Sequence, residues 1–196
     1  MLSPIELRAP GWTSDSTGGV EAGRSGWRGV TPISQNLGAA RSDRMSFTIT
    51  AMDSGEAEAC RQDALPGQAP ARRVVLDEPG APCRHCLRPG QTGETMLLLT
   101  YQPFRGPGPY AVASPIYLHA DPCPRYQPSS DIPMVVASGL RAVRAYDAAH
   151  DLLDGDVTAG TDLEPLIQRL LDDHRASYLH VYSATAGCFT CRVDRA

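Results

Sequence analysis

The chain has 196 residues, 42% of them apolar, enough for one domain with a sizeable core. All eighteen basic residues are arginine, so a lysine Schiff base, a lysine general base and a Walker-type phosphate loop are excluded within it. A net charge of −4 with scattered arginines gives no basic stripe, which argues against nucleic-acid binding, and no run reaches the about eighteen apolar residues of a membrane span.

The N-terminus has neither a basic n-region nor an apolar h-region, so a cytoplasmic, reducing location is the expectation. The six cysteines are then free thiols or metal ligands rather than a disulfide framework. Residues 1–44 are rich in Gly, Ser, Thr and Arg without a sustained period, and read as a disordered or loosely attached extension. Met45 followed by alternating Ser46 to Thr50 marks the start of a single globular domain over residues 45–196, with translation beginning at Met45 as the matching expectation.

A short helix is expected from Ser54 to about Asp63, stopped by Pro66 and Pro70, with Cys60 as a small buried or half-buried side chain. Arg72 to Leu76 reads as a strand. Thr95 to Tyr101 is nearly all apolar, as in a strand covered on both faces. Pro103 to Pro109 is a loop, and Pro115 to Ala120 a further strand. A short helix is expected within 131–138, then a hairpin of Leu140 to Asp147 and Leu152 to Val157.

The clearest element follows. Thr161 and Glu164 form a capping-box pattern with Pro165 in the first turn. Leu163, Leu166, Ile167, Leu170 and Leu171 then mark one buried helix face. After Ala176 the period becomes two. Tyr178, His180 and Tyr182 share one face of a strand, and Leu179 and Val181 share the other. Gly187 turns the chain into a second strand from Cys188 to about Val193, on which Phe189, Cys191 and Val193 are expected on the core face. The expected fold is α+β: a mostly antiparallel sheet of about six to eight short strands with one main amphipathic helix near the C-terminus.

Several runs together carry a resemblance. They are Thr161-Asp162-Leu163-Glu164-Pro165, Tyr178-Leu179-His180-Val181, Gly187-Cys188 and Arg192-Val193-Asp194-Arg195. Earlier ones are Arg72-Arg73-Val74-Val75, Pro82-Cys83-Arg84, Gly93-Glu94 before Leu97-Leu98-Leu99, Pro109-Tyr110 and Arg144-Ala145-Tyr146-Asp147. Over about residues 45–196 the chain resembles the bacterial family called domain of unknown function 1203. The resemblance implies no activity. His119, Cys86 and Cys191 depart from the pattern of many members, so it implies nothing about a site built on them.

Read from spacing, Cys83-x-x-Cys86 lets a tight turn aim two sulfurs at one metal, and His119-x-x-x-Cys123 can supply the other two of four tetrahedral zinc ligands. Cys188-x-x-Cys191 is a poor half-site, because an offset of three in a regular strand separates the sulfurs onto opposite faces. Two other readings stand beside zinc. In a thiol-dependent enzyme, Cys83 or Cys188 is the nucleophile, His180 accepts its proton and Arg84 lowers the thiol pKa or holds an anionic substrate. In a binding module, Arg84 and His180 with Tyr101, Tyr110 and Tyr182 recognise a small anionic ligand. The plainest alternative is free cysteines in a small core with histidines at a sheet rim. Asp147, Asp151, Asp154 and Asp156 fit no calcium loop and read as solvated turn acids.

Overall fold

The computed structural model describes residues 46–63, 70–104 and 106–196; the expectations for residues 1–44 and for Met45 lie outside them. Among the described residues, eight strands form two antiparallel sheets. β1 (Phe47–Thr50), β8 (Phe189–Arg195), β7 (Tyr178–Ser183), β5 (Leu140–Tyr146) and β6 (Leu152–Ala159) make a five-stranded sheet in that spatial order. β2 (Arg72–Val75), β3 (Thr95–Tyr101) and β4 (Ser114–His119) make a three-stranded one. Three helices, α1 (Ser54–Arg61), α2 (Met134–Ala137) and α3 (Leu163–Asp172), complete an α+β fold.

Helix α3 buries the five residues its period predicts, Leu163, Leu166, Ile167, Leu170 and Leu171. They pack on Val143, Ala145, Leu179, Val181 and Val193, one face of the five-stranded sheet. Each such side chain contributes about 1.5–3 kcal/mol when taken from water, which makes α3 the main prop of this sheet. The helix entry differs from the capping-box expectation. A 3₁₀ turn, Gly160–Asp162, leads into α3, and neither Ala159 nor Asp162 makes a side-chain cap hydrogen bond. Gly160 permits this: a Cβ there would lie 2.3 Å from the Ala137 carbonyl oxygen, so α2 and the turn pack through bare backbone.

The opposite face of the five-stranded sheet meets the three-stranded sheet. Met96, Leu97, Leu99, Ile116 and Leu118 share a second core with Tyr182, Phe189 and the α1 residues Ala57 and Cys60. Here Phe189 departs from its expected face. Val181 pairs with Cys191 but Tyr182 pairs with Phe189, so one extra residue, Thr190, is accommodated in β8. The irregularity turns the Phe189 ring toward His180, at 5.0 Å between centroids, while Cys191 and Val193 stay in the helix-side core.

Candidate metal centre and adjoining cleft

The chain from Cys83 to Leu87 is a tight turn laid beside the end of β4. The Leu87 N–H donates to the Cys83 carbonyl at 3.0 Å, the Arg84 N–H to Tyr117 at 3.0 Å and the Cys83 N–H to Arg88 at 2.9 Å. Leu87 takes φ +51°, which reverses the chain just after the second cysteine. His119 ends β4, and Cys123 follows four residues on. The turn and the strand end thereby bring the two predicted pairs together. One donor atom from each of Cys83, Cys86, His119 and Cys123 lies within 4.8 Å of all the others.

The separations fit a single ion. Cys83 Sγ and Cys123 Sγ are 3.9 Å apart, and Cys86 Sγ is 3.5 Å from His119 Nδ1. Bonds of about 2.3 Å to sulfur place tetrahedral sulfur neighbours about 3.8 Å apart. Cys83 and Cys86 are buried, whereas His119 and Cys123 are half-buried and border a cleft of about 670 Å³ that gives the donors a path to solvent. The three thiols and one imidazole can hold a metal ion.

The surroundings suit that role. His119 Nε2 lies 3.3 Å from Glu94 Oε2, so a carboxylate orients the ring whose Nδ1 faces Cys86. Arg61 Nη2 donates to Cys123 Sγ at 3.6 Å, and His85 Nδ1 sits 3.3 Å from the same sulfur. The Cys86 thiol, then the backbone N–H groups of the turn, hold the Cys83 thiol well below its ordinary range. Its hydrogen bond to Cys83, then burial, pushes Cys86 up; burial, then the Cys83 charge, does the same to Cys123. The set thus concentrates one negative charge, and a cation would draw off the remaining thiol protons. His85, Arg61 and Glu94 were not singled out as site residues from the sequence. His85 lies inside the Cys-x-x-Cys run, which was the available signal.

The remaining expected residues lie elsewhere. Arg84 is buried and committed to protein atoms: Nε donates to the Phe189 carbonyl, Nη1 to the Pro82 carbonyl and Nη2 to Cys188 Sγ at 3.3 Å. Cys188 precedes β8 and is half-buried. Cys191 is fully buried in the helix-side core, which pushes its thiol up to about 12. Cys83 belongs to the sulfur cluster, whereas His180 sits among the rings of Phe104, Tyr146, Tyr178 and Phe189, with centroids 4.9 to 5.4 Å away. Burial, then Arg192, lowers the His180 pKa to about 3, so the ring is neutral. Tyr182 lies behind it, with its hydroxyl 3.2 Å from His180 Nδ1. Tyr101 lines a cleft with His180 and donates to Glu56 at 2.9 Å, whereas Tyr110 is largely exposed.

A protein-family model described as "Protein of unknown function (DUF1203)" matches residues 80–195, more than half of the chain. The chain belongs to this family. The match takes in both donor pairs, β7 and β8, and begins later than the resemblance read from about residue 45. No curated protein and no solved structure matches the chain. Among the described residues no helix is long and apolar enough to cross a membrane.

Proposed function

We propose that this DUF1203 protein binds one zinc ion through Cys83, Cys86, His119 and Cys123, and that the ion is structural. The observation that carries the reading is the convergence of four donors from two separate chain segments to within 4.8 Å. Three thiolates and one imidazole form a closed tetrahedral set, the arrangement zinc takes when it holds a fold together. Zinc with three thiolates carries one net negative charge, and two arginines answer it: Arg61 at Cys123, and Arg88, whose pKa the neighbouring Cys86 raises.

The turn that the ion would fix is a junction. Its Arg84 carbonyl accepts the Met52 N–H at 3.0 Å and its His85 carbonyl the Tyr126 N–H at 2.9 Å. The Arg84 side chain reaches the Phe189 carbonyl at the start of β8. Fixing residues 83–87 therefore ties together the end of β4, the β1–α1 connection and β8, and so joins the two sheets.

Metal analysis of the full chain, purified without a histidine tag, tests this. About one equivalent of zinc is expected, falling below about a tenth in Cys83→Ser. Less than about a tenth of an equivalent in the unsubstituted protein would overturn the proposal.

A further inference from the structure

The cleft in front of His180 is separate from the sulfur cluster and has the construction of a small-molecule site. It encloses about 430 Å³, within the range of about 300–1,000 Å³ usual for ligand pockets. Rings of Tyr101, Phe104, Tyr178, Phe189 and His150 line it with His180, and Arg192 stands at its edge, about two-fifths exposed. The wall charges are largely settled within the protein. Arg192 pairs with Asp194 at 2.7 Å, Arg125 with Asp53 at 3.8 Å, and Glu56 accepts from Tyr101.

His180 is the exception. It is 1% exposed, its Nδ1 is held by Tyr182, and among the described residues no group hydrogen-bonds its Nε2. The Tyr182 hydroxyl sets the tautomer: when it donates to Nδ1, the imidazole proton sits on Nε2, the nitrogen without a protein partner, and is a donor there. The Arg192 guanidinium stacks on Tyr178 at 4.0 Å, and Arg144 lies over Tyr182 at 4.8 Å, so two guanidinium charges stand near the neutral imidazole, while Asp53, Glu56 and Asp194 also line the cleft. A backbone signal agrees: His150 is held at φ +70°, with its Nδ1 2.7 Å from the Tyr178 hydroxyl at the same wall.

We propose that this cleft binds a small planar carboxylate, its ring against Phe104, Tyr178 and Phe189 and its oxygens taking hydrogen bonds from His180 Nε2 and Arg192. A carboxylate matches a lone donor beside a guanidinium, and a flat apolar body matches the ring-lined walls. The small-anion expectation is kept, with Arg192 in the place given to Arg84.

Titration of the full chain with benzoate, benzamide and benzylamine, followed by amide NMR shifts, tests the proposal. Benzoate is expected to shift residues of β7 and β8, to bind more tightly than benzamide, and to leave benzylamine without a saturating effect. Arg192→Gln and His180→Phe, which keeps the ring and removes the donor, are each expected to weaken benzoate about ten-fold, the loss of one charge-assisted hydrogen bond. Benzylamine or benzamide binding as tightly as benzoate would overturn the proposal. So would benzoate binding unchanged in Arg192→Gln, a variant whose fold does not depend on a buried ring, or no binding of any of the three. Zinc content measured on the same samples keeps this outcome independent of the metal centre.

Discussion

The sulfur cluster and the His180 cleft stand on different physical foundations. The cluster is made of two short segments, each of which carries its donors within four positions, so a local turn and a strand end suffice to present them. The cleft draws on β1, α1, the loop after β3, the β5–β6 turn, β7 and β8 at once, and beyond the strand alternation of Tyr178 with His180 and of Arg192 with Asp194 its polar groups share no sequence spacing. Chemistry that needs several donors on one ion leaves a trace in sequence. A pocket assembled by sheet packing leaves almost none.

The sharpest way to break this contrast is to remove a cluster thiol. Cys83→Ser should lose the metal and with it most of the stability, since structural zinc contributes on the order of 10 kcal/mol in small metal-dependent domains. Thermal unfolding with and without a chelator measures this; a melting point that neither treatment changes contradicts a structural ion. A cavity in the helix-side core should behave differently. Leu170→Ala is expected to cost about 2–5 kcal/mol in denaturant unfolding while zinc stays at one equivalent, and loss of the metal in this variant would show that the two regions are not separable.

Smaller changes sharpen the comparison. Glu94→Gln removes the carboxylate behind His119 and should weaken zinc about 10–100-fold in competition with a chromophoric chelator; unchanged affinity would remove Glu94 from the site. An effect confined to acid pH concerns His180. Its folded pKa of about 3 lies below the ordinary 6.5, so between those values the unfolded chain binds a proton that the folded chain does not. The stability contributed is complete above pH 6.5 and is lost as pH falls toward 3. Urea unfolding of His180→Phe should show a shallower acid slope, by at most about 1.4 kcal/mol per pH unit, and identical slopes would contradict a neutral buried imidazole.

Much of the fold was legible. The period of α3 named all five of its buried residues, and the alternation of Tyr178 to Tyr182 separated the helix face of β7 from the aromatic face. What escaped was set by tertiary geometry. The extra residue at Thr190 moved Phe189 across the sheet, a one-residue shift that no period-two reading can foresee. The 3₁₀ entry to α3 follows from the close approach of Gly160 to Ala137, a contact between distant segments. Of the site residues, Cys83, Cys86, His119 and Cys123 could be paired from spacing. Arg84 looked available for a ligand because nothing local reveals that its donors are spent on the Phe189 and Pro82 carbonyls. His150, Glu56 and Arg192 reach the cleft only through the packing of β1, β5 and β8 around it.

X-ray absorption at the zinc edge of the purified full chain tests the metal centre most directly. Three sulfur scatterers at about 2.3 Å and one imidazole nitrogen at about 2.0 Å, with no neighbouring metal, are predicted. A shell dominated by oxygen or nitrogen, or metal–metal scattering from a polynuclear cluster, would contradict the four-ligand centre.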